Sequence, residues 1–277
     1  MKSKIIQLPG IILFFWLISG FFMSPLFAQE SSVGFTTTPN SVVEGMLDLA
    51  NTNSSDYVID LGSGDGRIVI AAALRGALAH GVEFDPELVS LSYQNAKQAG
   101  VDGRVLFMEE DFYETDFSMA SVVTLYVLES TNIKLRPYLM KNLKPGSRVV
   151  SHRYKMGEWQ PDAEIEVDFR KIYKWIIPAD FSGSWSWTID NNEINISLDQ
   201  QFQNITGITI QNTGNRNHDV QSVDISGDSI RIIIKESESK TEWVYDGKIE
   251  GDHISGVVQV HEDGERRLLK CEAIRSD

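Results

Sequence analysis

The sequence predicts an α/β domain built on a parallel sheet, followed by a small all-β domain, and three observations predict it. From Phe35 to about Pro178, short β-branched runs alternate with longer amphipathic stretches, the pattern of βαβ units. After Pro178 the helical period vanishes, and short alternating runs recur between turn pairs. Inside the α/β part, a strand runs into a glycine loop, Gly62-Ser63-Gly64-Asp65-Gly66, that opens a helix. Open α/β sheets bind ligands in such places.

The elements follow in chain order. Lys2 and Lys4 precede an apolar stretch from Ile11 to Phe27 that ends in Pro25-Leu26-Phe27-Ala28. Residues 1–28 are therefore expected to be a secretory signal cut after Ala28, or an uncleaved membrane anchor across residues 5–27. Both readings export the rest to a periplasmic or extracellular place, with membrane proximity through this segment. The α/β domain is expected over residues 34–178. Its strands are read at Val58 to Leu61, Gly81 to Phe84, Val105 to Met108, Ser121 to Tyr126 and Arg148 to His152. Its helices are read at Ser41 to Ala50, Arg67 to Leu74, Pro86 to Gln98 and Thr131 to Leu143, with Gly76 and Gly100 as C-caps and Pro86 as a helix start. The boundary is placed near Ala179 to Ser182. Residues 182–277 then form a meander or barrel, with strands at Ile194 to Leu198, Ser229 to Ile234 and Ile254 to Val260. Turns are expected at Asn191-Asn192, Gly227-Asp228, Asp246-Gly247, Gly251-Asp252 and Asp263-Gly264. No long linker separates the halves, so they are expected to pack, with Trp159, Trp175, Trp185 and Trp187 in the core or between them.

Composition narrows the partners. The 277 residues carry 25 basic and 39 acidic side chains, a formal charge of −14, and 42% hydrophobic residues. Such a chain folds and is not disordered. Its charge argues against nucleic acid, whose affinity for proteins comes from Lys and Arg on phosphates. A single cysteine, Cys271, excludes an internal disulfide and a Cys-rich zinc site, and the five histidines lack ligand spacing, so no metal is expected.

The chemistry concentrates at three strand ends. Asp60 and the glycines Gly62, Gly64 and Gly66, with Ser63 between them, let the backbone turn tightly against a ligand. Glu83 ends the next strand, where a carboxylate can accept both hydroxyls of a ribose. Asp111 follows the third strand, where it can accept from an exocyclic adenine amine with Phe112 near the ring. The spacing Gly-x-Gly-x-Gly departs from the Gly-x-Gly-x-x-Gly dinucleotide fingerprint. Asp60 and Asp65 would also repel a pyrophosphate at a helix N-terminus. Both tolerate a cofactor with an ammonium and a cationic sulfur, so S-adenosyl-L-methionine (SAM) is the expected cofactor.

On those residues the chain resembles a class I SAM-dependent methyltransferase from about Phe35 to Trp175. More narrowly, Thr38-Pro39-Asn40-Ser41-Val42-Val43, the loop from Asp60 to Ile70, Val123-Thr124-Leu125-Tyr126 and Leu143 to His152 resemble the ATP synthase c-subunit lysine methyltransferase-like branch. The resemblance implies a Rossmann-like sheet with helices on both faces, Thr38 beside the cofactor, and methyl transfer to a lysine ε-amine of a protein partner. A lysine must be neutral to attack, and its free pKa is about 10.4, so the acceptor pocket must desolvate it and accept a proton. Tyr126, with Glu129 or water, is the candidate for that. His152, at a strand end, is read as satisfying a backbone group. Two rival readings stay open: an exported SAM-binding protein without catalysis, and a small-molecule methyltransferase.

Overall fold

The computed structural model describes residues 36–189, 192–212, 218–236 and 241–276. Residues 1–28, the expected signal or anchor, lie outside the described residues. The α/β part runs α1 (Asn40–Leu49), β1 (Tyr57–Leu61), α2 (Arg67–Leu74), β2 (Leu78–Glu83), α3 (Pro86–Gln98), β3 (Val105–Glu109), β4 (Val122–Leu125), α4 (Glu129–Asn142), β5 (Arg148–His152), β6 (Ala163–Val167) and β7 (Arg170–Ile176). The sheet order is β3-β2-β1-β4-β5-β7-β6. Strands β1 to β5 are parallel, while β7 runs antiparallel to β5 and β6. After β3 the chain returns to the other side of β1, which makes the crevice between β1 and β4 the topological switch point.

Side-chain alternation builds a core on each face. Val58, Val122 and Val150 point to the face covered by α1, α2 and α3, where Val42, Met46, Val69 and Ala96 pack. Ile59, Val123 and Val149 point to the opposite face, where Leu135 and Leu139 of α4 pack. The termini follow their chemistry. Asp85 caps α3 by accepting from the Glu87 N–H at 2.8 Å, with Pro86 in the first turn. Gly76 and Gly100 take positive φ just past α2 and α3.

Several boundaries differ from expectation. β2 begins at Leu78, not Gly81, because Leu78, Ala79 and His80 pair in register with Tyr57, Val58 and Ile59 of the central strand. β4 is confined to residues 122–125, and α4 starts at Glu129, where an acidic side chain suits the helix dipole. The β6–β7 hairpin was not expected at all.

The second sheet has eight antiparallel strands: β8 (Gly183–Ile189), β9 (Asn192–Gln201), β10 (Asn204–Asn212), β11 (His218–Ser226), β12 (Ser229–Glu236), β13 (Glu242–Glu250), β14 (His253–Glu262) and β15 (Glu265–Ser276). Each follows its neighbour as a meander, and β15 returns to pair with β8, so the sheet curls into a nearly closed barrel with β10 and β11 at the seam. Inward positions carry Trp185, Trp187, Ile196, Ile232, Tyr245, Val258 and Cys271, all buried together. The turns at Gly227-Asp228, Gly251-Asp252 and Asp263-Gly264 connect strands as expected; Asn191 lies outside the described residues. Asp246-Gly247 is not a turn. Both residues lie inside β13, where Asp246 pairs with Arg231 at 3.3 Å and Gly247 faces Gly256 of β14. A Cβ on Gly256 would lie 2.0 Å from the Asp246 carbonyl oxygen, so this glycine serves a close strand approach.

The barrel is fixed to the α/β part at two places. The Ala179 N–H donates to the Gly227 carbonyl at 2.7 Å, beside the Gly146 backbone at the N-terminal end of β5. The β9–β10 turn, Phe202-Gln203, reaches the α4 side: the Phe202 ring stacks on Trp159 at 5.9 Å under the Arg136 guanidinium at 5.1 Å. Gln203 accepts from the Trp159 indole N–H at 2.7 Å and donates to the Gln160 carbonyl at 2.7 Å. Trp159, Trp175, Trp185 and Trp187 are all buried, as their sequence context predicts.

Candidate functional site

The site grows from the end of β1. The Gly62 and Ser63 N–H groups both donate to the Val82 carbonyl, at 2.8 and 2.9 Å, which folds the glycine loop over β2. From α3, Ser92 donates to the Gly64 carbonyl and Asn95 to the Asp65 carbonyl, each at 2.9 Å. Gly66 has φ +79°, and a Cβ there would lie 2.8 Å from the Phe107 ring, so neither backbone nor space admits another residue. Sequence and packing together fix the loop.

Three of the expected acids stand at successive strand ends, in different states. Asp60 is 2% exposed, and its carboxylate accepts from the Thr124 hydroxyl of β4 at 2.6 Å. Burial, reinforced by the nearby charges of Glu83 and Asp65 and opposed by the Thr124 hydrogen bond, pushes its pKa up to about 7. Glu83 accepts from the Gly64 N–H at 2.8 Å and from the Phe84 and Asp85 N–H groups at 2.9 and 3.1 Å. Its carboxylate is thus held against the loop. Asp111 is exposed and accepts from the Tyr113 N–H at 2.9 Å, while half-buried Phe112 lies against Tyr113 with ring centroids 4.8 Å apart. Asp65 does not face the loop's ligand side as a free charge. Arg67 clasps it with Nε at 2.9 Å and a terminal nitrogen at 2.5 Å.

The far side of the crevice is aromatic. Tyr126 follows β4 half-buried, and its ring lies 4.0 Å from that of His152 at the end of β5. His152 does not satisfy a backbone group through its ring, contrary to expectation. Its Nδ1 meets the Thr38 hydroxyl at 3.2 Å, and its Nε2 is buried without a partner. Burial, then the charges of Arg170 and Arg153, push its pKa down to about 4, so it is neutral at pH 7. Thr38 is further pinned through its carbonyl, which accepts from Arg67 at 2.8 Å. Tyr154, which the sequence reading missed, stacks beyond Tyr126 with centroids 6.3 Å apart. Its only sequence signal is its place two residues after a strand end. Glu129 is exposed in the first turn of α4, and no hydrogen bond joins it to Tyr126; its charge bears on Tyr173.

Thr38, Asp60, the glycine loop, Glu83, Tyr126 and His152 thus share one edge of the sheet, with Asp111 and Phe112 at the next strand end. A buried carboxyl with a single hydroxyl partner fits an ammonium, and a loop carboxylate backed by three N–H groups fits sugar hydroxyls. These residues fit SAM. Among the described residues no group of three or more His, Cys, Asp or Glu could hold a metal ion.

Comparison with known proteins points to methyltransferases. A family model described as the ANTKMT methyltransferase domain matches residues 60–163. The chain is similar to a protein-lysine N-methyltransferase of Saccharolobus islandicus, 42% identical over 138 residues, covering 49% of this chain and 86% of that protein. It is also similar to the ATP synthase c-subunit lysine N-methyltransferase of Homo sapiens, 38% identical over 105 residues, covering 38% of this chain and 45% of that protein. Among solved structures, an RNA methyltransferase from Salinibacter ruber in complex with S-adenosyl-L-homocysteine matches with a TM-score of 0.52 and 49% identity. That match covers 53% of this chain and 96% of the other.

The same comparisons correct the expected export. The relatives, a protein-lysine N-methyltransferase and an ATP synthase c-subunit lysine N-methyltransferase, do not support it. Export is not supported.

Proposed function

The chain belongs to the class I SAM-dependent methyltransferases, in the protein-lysine N-methyltransferase branch, and on that premise we propose that it methylates the ε-amine of a lysine in a protein partner. The observation that carries the reading is buried Asp60, poised near neutrality at the start of the glycine loop and one strand away from the Tyr126–His152 wall. Residues 34–178 are the transferase unit in this reading, and residues 182–277 an accessory unit.

Bound SAM supplies an electrophilic methyl on a positively charged sulfur. Asp60 holds the ammonium of the amino-acid tail, and Gly62, Ser63, Gly64 and Gly66 keep the backbone close to it, with Thr38 closing the near side. Glu83 takes the ribose hydroxyls; Asp111 and Phe112 take the adenine. Across the crevice, Tyr126 flanks the lysine stem and orients its nitrogen. With SAM bound, its sulfur would give up the methyl to the neutral lysine amine, Tyr126 would keep that amine in line, and the extra proton would pass to water with help from Tyr126. Glu129, exposed and unconnected to Tyr126, contributes at most to the mouth's charge. Alignment carries most of the rate, since the reacting atoms are brought into line without covalent help from the protein.

An RNA acceptor, the substrate class of the Salinibacter ruber neighbour, is disfavoured for this chain. The edge near the adenine presents Glu109, Glu110, Asp111, Glu114 and Asp116, on a chain of net charge −14. The test is to incubate the full chain with methyl-labelled SAM and a whole-cell extract, treat portions with protease or RNase, and map the label by mass spectrometry. Methyl on protein lysines supports the reading. Label that survives protease, or disappears with RNase, rejects it.

A further inference from the structure

Phe169 stands apart from the other exposed apolar residues. It is 97% exposed, and it forms the β6–β7 turn with Asp168, both at positive φ, +59° for Phe169 and +48° for Asp168. Non-glycine residues seldom adopt that region, and a phenylalanine gains nothing from solvent there. A lone exposed apolar residue is ordinary. A fixed one on a left-handed turn is not. The Asp168 carboxylate accepts from the Ser41 hydroxyl at the start of α1, and Arg170 donates to the Asp168 carbonyl at 3.1 Å, so the turn is held without burying the ring.

Strand register says where the turn sits. His152 pairs with Ile172 across β5 and β7, and Phe169 lies three residues farther along β7 toward the cofactor edge. At about 3.3 Å per residue, the turn overhangs the His152 level by roughly 10 Å. Arg170, two residues from Ile172, points to the same face as His152, and Arg153 follows His152 directly. Both guanidiniums lie near enough for their charges to bear on the His152 ring. Both are exposed, and neither has an ion-pair partner among the described residues. Leu128, 47% exposed just past Tyr126, gives a second apolar point on the same edge. Two guanidiniums without a carboxylate partner among the described residues, Arg170 on the Asp168 carbonyl and Arg153 5.6 Å over the Tyr154 ring, repel a lysine-bearing segment unless that segment brings its own carboxylate.

We propose that this turn is the grip for the substrate polypeptide: Phe169 enters an apolar feature of the segment that bears the target lysine, while Arg153 and Arg170 meet an acidic side chain beside that lysine. The inference rests on the protein-lysine reading and deepens it to the local sequence of the substrate.

The test uses the full chain saturated with S-adenosyl-L-homocysteine and two labelled peptides of equal length. One carries a lysine among glycine and serine; the other adds leucine and aspartate within three residues of the lysine. Fluorescence anisotropy should show about tenfold tighter binding of the second, a difference of about 1.4 kcal/mol. Phe169→Ser should erase the contribution of leucine, and the double variant Arg153→Gln/Arg170→Gln that of aspartate and most of the salt dependence. SAM affinity should be unchanged in both, which shows that they fold. No preference in the wild type, or a preference untouched by both variants, overturns the proposal. So does Phe169-dependent sedimentation with phosphatidylcholine–phosphatidylserine vesicles in the absence of peptide preference, which would assign the turn to a membrane surface. Preference in binding without methyl on the peptide lysine would instead reject the transfer reading and leave the grip standing.

Discussion

Replacing Asp60 with asparagine should make the ligand-free protein more stable and its cofactor binding weaker, and both effects should depend on pH in a definite way. In the folded protein the Asp60 pKa is about 7, against 3.8 for the ordinary side chain. At about 1.36 kcal/mol per tenfold, keeping the carboxylate ionised above pH 7 costs the fold roughly 4 kcal/mol, as an upper bound. Because the folded state keeps a proton that the unfolded chain releases, wild-type stability falls as pH rises from about 4 to about 7, then levels. Asparagine keeps its contact with Thr124 and carries no such charge. The Asp60→Asn variant should therefore melt alongside the wild type near pH 4 and several degrees above it at pH 8. Its SAM affinity, by contrast, should fall about 10- to 100-fold, because a hydrogen bond to a charged group is worth about 1.5–3 kcal/mol. Wild-type affinity should itself climb from pH 5.5 to 7.5 as Asp60 ionises, and the variant's should not. Scanning calorimetry across pH and titration calorimetry with SAM read both quantities. A melting difference independent of pH, or unchanged affinity in the variant, would refute the assignment of Asp60.

Glu83→Ala should cost about 1–3 kcal/mol of SAM affinity by titration calorimetry, since it strips the ribose acceptor and leaves the Gly64 N–H without its partner; equal affinity would remove Glu83 from the pocket. Tyr126→Phe should lower kcat for a protein substrate much more than it weakens SAM, with the rate still rising with pH as the acceptor amine deprotonates; a change in SAM affinity alone would move Tyr126 into the cofactor site. Gln203→Ala should destabilise by about 1–3 kcal/mol, because the Trp159 indole N–H loses its partner. Its thermal trace should begin to separate into two transitions, and an unaltered single transition would show that the turn does not fasten the barrel.

The parts of this fold that were legible in sequence are those where one residue type answers one local demand. The glycine loop, Pro86 and the two C-cap glycines each meet a backbone requirement that few residues satisfy. Strand ends at Glu83 and Asp111 were readable because a carboxylate there follows an apolar run. What stayed hidden depends on neighbours distant in sequence. Asp246-Gly247 has turn composition, yet the facing Gly256 and the Arg231 ion pair hold it mid-strand. The β6–β7 hairpin begins with strict alternation, Glu164 and Glu166 between Ala163, Ile165 and Val167, which the strand reading passed over, and it is extended into the sheet by the edge that β5 offers β7. Tyr154 joins the site through its stacking on Tyr126, and Glu129 falls away from Tyr126 because α4 begins at that residue. Neither relation has a spacing that sequence alone could show.

The pairing of β15 with β8 has a consequence for biosynthesis. Ser184 meets Ser276 and Ile189 meets Cys271, so closure joins segments separated by roughly ninety residues, a costly long-range contact for a folding chain. At about 5–20 residues per second, a ribosome takes roughly 5–20 s to deliver β15 after β8 has emerged. The α/β sheet needs nothing beyond Ile176 and can form in that interval. β8, bearing Trp185 and Trp187, waits meanwhile with one side unpaired, a template for other nascent chains. Closure of the barrel thus depends on β15 reaching β8 before that open side finds another partner.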